Sequence, residues 1–295
     1  MDHQLTEIVE LTRDATTEPA RCAVPGVVIV KGEVPAQQLA AVYVPMIGFT
    51  VQGRKTISIG EHTLDLHGPA YFVIPTDVPA TGRVHTGSPY LSIGLALNED
   101  VLLDLVNSHP DLGHKGVLAA APATPEFVDA WVRLLRLIKT PQHIAALAPV
   151  YEREILYRVL TGPQGWRLRQ ACEARGRAGD AGISRAIRWL RSHYAQAMSI
   201  ETLAGKSRMG VTTFHRRFKR ITGLSPLQFQ KQLRLLEARK RLAHSSLPVS
   251  QVAFEVGYES ASQFNREYSR FFGHPPAAGR ARTTRPGETR LPPPS

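Results

Sequence analysis

The feature that most constrains this chain is a repeat. Two segments of its last third superpose at a spacing of 50 residues: Phe214 on Phe264, Arg216 on Arg266, Phe218 on Tyr268, Arg220 on Arg270, Gly223 on Gly273 and Pro226 on Pro276. Upstream, Leu203-Ala204 matches Val252-Ala253 at a spacing of 49, so one turn differs by a residue. An ordered set of this kind marks a duplicated supersecondary unit. Each unit reads as helix, short turn, helix. In the first, Ser199 is placed to cap a helix carrying Ile200, Leu203 and Ala204. A second helix follows from about Val211 to Ile221, with Phe214, Phe218 and Ile221 on one apolar stripe and Thr212, His215, Arg216 and Lys219 opposite. In the second unit, Ser260 to Gln263 fits a capping box. The helix it opens is expected to bury Phe264, Tyr268 and Phe271 and to show Ser262, Asn265, Arg266 and Ser269. Between the units, Ser225 at the N-cap, Pro226 at N1 and Gln228 at N3 start a long helix through Leu233, Leu236 and Leu242. Glu237 and Arg241 are an i,i+4 pair on it.

Charge divides the chain at the same place. Residues 183–282 hold 18 basic and 5 acidic residues, whereas residues 1–182 hold 16 and 19. One third of the chain thus carries the whole net charge of +11, which points to a nucleic-acid or membrane partner rather than to an evenly solvated surface. No apolar run approaches the roughly 18–20 residues of a membrane helix, so no membrane partner is expected. Helix-turn-helix geometry lays the second helix of a unit in the DNA major groove. There Arg can bond guanine at O6 and N7, and Asn can bond adenine at N6 and N7. Arg216, Arg266 and Asn265 sit where such contacts form. Arg217, Lys219, Arg220 and Arg270 suit phosphate contacts, which position a protein without reading sequence. Ser269, on the same face, joins them. Two units on one rigid helix would reach major-groove faces one helical turn, about 34 Å, apart.

The first half reads differently. Val27 to Val30 is a β-branched run. Lys55 to Ile59 alternates polar and apolar before a turn at Gly60-Glu61, Leu64 to Leu66 alternates again, Ala70 to Ile74 stops at Pro75, and Leu91, Ile93 and Leu95 alternate with Ser92 and Gly94. Short strands punctuated by Gly and Pro predict an antiparallel sandwich or small barrel. Beyond residue 98 the period turns helical at Phe127, Trp131, Leu134, Leu135 and Ile138 and at Ile155, Leu156 and Val159. The stripe with Trp131 is either core or a dimer face. Leu5, Ile8, Val9 and Thr12 predict a short helix before the strands. The expected division is an N-terminal arm or helix at 1–24, a regulatory domain at 25–176, a Gly/Ala-rich linker at 177–182, a helical domain at 183–282 and a disordered Pro-rich tail at 283–295. The overall class is α+β, a β barrel with flanking helices followed by an all-α domain.

The acidic N-terminus lacks the apolar core of a secretory signal, and two distant cysteines, Cys22 and Cys172, make neither a disulfide framework nor a zinc cluster. His62, His67 and His85 lack the closely spaced His-x-His with a following Glu that a barrel metal site needs, so no metal and no cofactor are expected. Without a metal triad, nucleophile elbow, P-loop or dinucleotide fingerprint, a catalytic role finds no support. An architectural, sequence-neutral DNA binder would use phosphate contacts almost alone, against which Thr212, Ser262 and Asn265 argue.

These residues also carry a resemblance. Residues 183–282 resemble the C-terminal domain of AraC/XylS-type transcription regulators, through Ser199 to Ala204, Phe214 to Lys219, Thr222 to Pro226, Leu235 to Arg239, Val252-Ala253, Val256 to Tyr268 and Phe272 to Pro276. Residues 25–160 are similar, less tightly, to the cupin-like N-terminal domain of one branch of that family, through Gly53 to Lys55, Ser88 to Leu91 and Glu152 to Leu156. The resemblance implies a cytoplasmic bacterial regulator, most often an activator, that binds double-stranded operator DNA and works with RNA polymerase. Its N-terminal domain would sense a small molecule or form a homodimer. Family base contacts would fall on Thr212, His215 and Arg216 in the first recognition helix and on Ser262, Asn265 and Arg266 in the second. Effector-binding residues are left unassigned, because a one-residue slip in a strand swaps its faces. Two positions depart from the family pattern. Arg208 stands where Gly is usual, which costs on the order of 1 kcal/mol if the turn needs positive φ, and Gly210 replaces the usual Ser at an N-cap, where Gly is acceptable.

Overall fold

Alternation in the first half of the chain resolves into strands, and the computed structural model describes residues 1–14, 20–32, 38–85, 87, 89–110, 120–176 and 178–281. The strands are β1 (Ala20–Arg21), β2 (Val27–Gly32), β3 (Gln38–Tyr43), β4 (Met46–Gln52), β5 (Arg54–Ile59), β6 (His62–His67), β7 (Ala70–Ile74), β8 (Val78–Val84), β9 (Tyr90–Ala96) and β10 (Ala121–Pro122). They form a six-stranded sheet in the order β1-β2-β9-β4-β7-β10 and a four-stranded sheet in the order β3-β8-β5-β6. All pairings are antiparallel. The hairpin β5–β6 closes at Ile59 opposite His62, where Gly60 takes the positive φ that a two-residue turn requires.

Side chains alternate across each sheet and fill two separate cores. Ile57, Ile59, Leu66, Phe72, Ile74 and Val78 face inward between the sheets. Ile47, Phe49, Ile93, Leu95 and Val73 face outward under a layer of helices: α1 (Asp2–Leu11), α2 (Glu99–Ser108), α3 (Pro125–Arg136) and α4 (Ile144–Thr161). Trp131 is wholly buried, with Phe127 edge-on to Phe49 at 5.3 Å, so the stripe on α3 is core and not a dimer face. The N-terminal helix is part of this unit, not a free arm. Ile8 is fully buried, and Glu7 ties α1 to Arg136 of α3 at 2.7 Å.

Of the segment read as a linker at 177–182, residues 178–182 are helical. Helix α5 (Gly165–Gly176) is followed, after residue 177, by α6 (Ala178–Ser192), and residues 178–182 are its opening turns. Gly and Ala leave no apolar period to read, but Gly182 lies close against Ser207, where a Cβ would meet the Ser207 carbonyl at 2.6 Å. Packing therefore makes helix where composition suggested loop. The predicted tail, 283–295, lies outside the described residues.

Helices α7 (Ile200–Lys206), α8 (Val211–Thr222), α9 (Pro226–His244), α10 (Val249–Glu255), α11 (Ala261–Phe272) and α12 (Pro276–Ala281) complete the chain. Here the repeat is visible residue for residue. Helices α8 and α11 are offset by 50, and α7 and α10 by 49. Both second helices end on a left-handed glycine, Gly223 at φ 74° and Gly273 at φ 77°. Helix α9 joins the units by giving each one end. Phe229 and Leu233 complete the core of Phe214, Phe218 and Leu203, while Leu236 and Leu242 complete that of Phe264, Tyr268 and Val252. Val42 of β3 touches both cores and Ala40 the second, so the four-stranded sheet rests on the helical unit.

Candidate nucleic-acid interface

The apolar stripe of α8 decides what its other face shows. With Phe214 and Phe218 sealed inside, Thr212 and Arg216 are exposed and His215 is half-buried. On α11, with Phe264 and Tyr268 inside, Ser262, Asn265 and Arg266 are exposed. Of the expected phosphate contacts, Lys219, Arg220 and Arg270 are exposed, while Arg217 and Ser269 are half-buried. The expected reading faces therefore point outward on both helices. One inward position differs. Phe272, not Phe271, is buried, and Phe271 lies half-exposed at the rim. Phe272 is eight residues beyond Phe264, on the same side as Tyr268, whereas Phe271 is turned about 100° from it.

Caps set where these helices begin. The oxygen of Ser199 accepts from the Thr202 amide at 3.3 Å and starts α7. Ser225 and Gln228 exchange both bonds of a capping box at the head of α9. At α11 the box is half-made. Ser260 accepts from the Gln263 amide, but the Gln263 side chain donates to Glu267 instead of returning to the cap. Gly210 precedes α8 in an extended conformation with no side chain to cap it.

The turn inside each unit brings the second helix to its angle. Arg208 and Gly257, 49 residues apart, hold the same position, at φ 55° and 96°. Arg208 is the one non-glycine with positive φ among the described residues, so the first turn carries the strain that the second avoids.

A feature that sequence reading missed fixes the units to each other. The turn after α6 presents the carbonyls of Tyr194, Ala195 and Gln196. The Gln230 amide donates to those of Tyr194 (3.0 Å) and Gln196 (2.7 Å). The Arg234 guanidinium donates to Tyr194 (2.7 Å), Ala195 and Gln196. Gly257, from the turn of the second unit, packs so closely on Ala195 that any Cβ would overlap its carbonyl. One turn thus meets the first unit, the joining helix and the second unit. Polar residues four apart on a helix carry no signal that separates such a tie from a solvated face.

Electrostatics follow the same division. Glu267, the acidic residue of α11, is turned from the reading face. It accepts from Lys231 at 2.9 Å, Tyr258 at 2.8 Å and Gln263 at 3.1 Å. Burial raises its pKa, but those three donors outweigh it and hold the carboxyl below its ordinary range. Burial and the Glu267 carboxylate push the Tyr258 phenol up. Arg216, Lys219, Arg266 and Arg270 carry no ion pair among the described residues, so their charge is presented to solvent.

The C-terminal end of α8 also meets the barrel. The Gly60 turn abuts Gly223 and Leu224. Beside it, a cleft of about 420 Å³ is walled by Ile59, His62 and Val78 of the barrel, by Trp166 and Arg167 of α5, and by α8 from Lys219 to Gly223. Arg167 donates to the Val73 carbonyl at 2.9 Å, and burial pushes its pKa down to about 10. The barrel histidines do not converge. His62 and His67 close opposite ends of β6, and the His85 ring meets the Thr56 hydroxyl at 2.7 Å. Among the described residues, no group of three or more His, Cys, Asp or Glu is placed to hold a metal, and no helix is long and apolar enough to cross a membrane.

Residues 23–167 match the family model of the AraC-type transcriptional regulator N-terminus, and residues 203–282 match that of a helix-turn-helix domain. Among curated proteins, the HTH-type transcriptional activator RhaS of Escherichia fergusonii is 37% identical over 97 residues, 33% of this chain and 35% of that protein. RhaS of Citrobacter koseri is 33% identical over 128 residues, 43% of this chain and 45% of its own. The chain thus spans a third to a half of the length of these relatives. Among solved structures, an apo form of ToxT from Vibrio cholerae covers 90% of this chain and 100% of its own with a TM-score of 0.55 at 9% identity, a likeness of fold.

Proposed function

Because the chain belongs to the AraC/XylS-type transcription regulators, a family of regulators and not of enzymes, we infer that it binds operator DNA through α8 and α11 and acts on transcription there. One observation carries this reading. An exposed polar and basic face recurs on two helices 50 residues apart, with Thr212 and Arg216 on α8 and Ser262, Asn265 and Arg266 on α11, each held by a buried aromatic stripe. Thr212, His215 and Arg216 would read bases from α8, and Ser262, Asn265 and Arg266 from α11. Arg217, Lys219, Arg220, Ser269 and Arg270 would meet phosphates. The name of the RhaS relatives favours activation; RNA polymerase would then be a partner and the cytoplasm the site of action. The barrel would sense a small molecule or carry a homodimer contact. The cleft between Val78, Arg167 and Lys219 is where a change in the barrel would reach α8.

The test is selection from a random oligonucleotide pool with the full-length protein near physiological salt. The expected result is an enriched motif in two blocks about one helical turn apart. On that motif, Arg216→Ala is expected to cost about 1–3 kcal/mol and relax selection at one base position. Binding with no enriched motif overturns base readout, and an equal loss by Arg216→Ala on every sequence removes Arg216 from the reading set.

A further inference from the structure

Arg167 is a cation held in a cleft without an anion. Its Nε donates to the Val73 carbonyl, and its guanidinium lies 5.1 Å from the centre of the Trp166 ring. Among the described residues its two Nη groups donate to nothing. Burial is the one influence on its pKa, and no carboxylate offsets it. Trp166, its neighbour on the α5 wall of the same cleft, has its indole Nε1 buried without a hydrogen bond. A buried donor without an acceptor and a cation without a counter-charge both cost free energy, and such groups usually have a partner.

The α8 wall is basic too. Lys219 and Arg220 line the cleft from the last turn of that helix, and Lys219 carries no ion pair among the described residues. Three permanent cations thus meet in one space of about 420 Å³, with His62 of β6 beside them, and no Asp or Glu is among the residues that wall it. The negative end of the α8 dipole offsets about half a unit of that charge, which leaves an excess near two. The barrel side is apolar, formed by Ile59, Ile74 and Val78. A space of this size falls in the range of small-molecule sites, roughly 300–1,000 Å³.

We propose that this cleft binds a small phosphate monoester, its phosphoryl group held by Arg167, Lys219 and Arg220 and its organic part laid against Ile59, Ile74 and Val78. A guanidinium fork matches two oxygens of a phosphate in one plane, and a lysine adds a point charge. A monoester brings about −1.5 to −2 units of charge near neutral pH, which matches the excess, whereas a carboxylate brings one. Inorganic phosphate supplies the charge but leaves the apolar wall to water. The site stands on the cleft alone. Its consequence rests on the DNA-binding reading above, in which Lys219 and Arg220 also meet operator phosphates. The ester and the operator then compete for the same two side chains, and the competition is reciprocal: each lowers the affinity for the other by the same factor.

The experiment is isothermal titration of the full-length protein with phenyl phosphate, AMP and glycerol phosphate, against inorganic phosphate and benzoate at equal ionic strength. Saturable one-to-one binding of at least one ester is expected, about tenfold or more tighter than either control, since the ester alone pairs the charge and covers the apolar wall. Arg167→Lys keeps the charge and loses the fork, and is expected to weaken the ester about tenfold. Lys219→Ala, at an exposed position, tests the same site should the substitution at Arg167 not fold, and is expected to weaken the ester about threefold. No binding by any ester, equal affinity for inorganic phosphate or benzoate, or unchanged affinity in either variant overturns the site. Operator binding is read separately, by gel shift on the selected motif, where saturating ester is expected to weaken it. Ester binding that leaves operator affinity unchanged upholds the site and overturns the competition. Ester binding by a protein that selects no DNA motif upholds the site while the regulator reading falls.

Discussion

Arg208 holds a left-handed conformation that its partner position gives to glycine. The cost of placing a Cβ there is about 1–2 kcal/mol, partly offset because glycine loses more freedom on folding. Arg208→Gly is therefore expected to raise the stability of the helical unit by about 1 kcal/mol, read as a higher urea midpoint at unchanged slope. A midpoint at or below that of the wild type would show that the arginine side chain repays its own strain. Gly257→Ala should do the opposite and by more, since strain and overlap with the Ala195 carbonyl act together. The sequence made the position suspect because Arg208 stands where the family pattern has Gly. Lys55, buried on β5, was as legible in principle, because its parity with Ile57 and Ile59 places it on the inward face. In a run that alternates polar and apolar residues, however, the end of a strand reads equally well as its solvated flank. The dihedral and the burial, not the residue type, decide each case.

At the scale of elements, α9 and α11 are joined through Glu267. A carboxyl whose folded pKa lies below its unfolded value near 4.3 contributes stability that is full above that value and is lost as pH falls through the folded pKa. The wild type is expected to be more stable than Glu267→Gln at pH 7, with the gap closing as pH falls below about 4.3. Urea unfolding across that fall in pH checks it, and a gap that stays constant with pH would assign the contribution to geometry instead of charge. The caps at Ser199, Ser225 and Ser260 and the glycines that end α8 and α11 were all legible, because each follows from local hydrogen bonding. The exchange of Phe271 for Phe272 was not, since two adjacent phenylalanines at a helix end satisfy the same periodicity until the core behind them is known. Nor was the helix at 178–182, where the Gly182 carbonyl accepts from the Ser207 hydroxyl, 25 residues away.

For the whole molecule, the turn at 194–196 holds both helix-turn-helix units and α9 in one rigid relation. If both units bind DNA as proposed, a body of that kind would tolerate one separation of its two half-sites. Inserting five base pairs between the selected blocks, half a helical turn, is expected to lower affinity to that of a single block, as measured by gel shift on matched duplexes; retained affinity would show that the units move independently. The contact of α8 with the barrel sets a second expectation. Lys219 lines the cleft beside the barrel yet carries no ion pair among the described residues. If it meets a phosphate, Lys219→Ala should lower the magnitude of the slope of log K against log salt by about one, and an unchanged slope would leave it to the cleft. The two-domain plan was legible from charge and periodicity alone. How the domains meet was not, because Val42, Ala40 and the Gly60 turn are ordinary strand and hairpin residues until their outer face is seen covered.

The exposed side chains proposed to face DNA on α8 and α11 lie outside the cores behind them. Arg216, Asn265 and Arg266 are exposed and pack no core, and the stripes behind them hold the helices whatever they are. Substitutions on an exposed helix face typically change stability by no more than about 0.5 kcal/mol. If those side chains read the operator, the vocabulary of such a protein can drift while its grammar stays fixed: new operators would be reachable one letter at a time, with no passage through an unfolded intermediate.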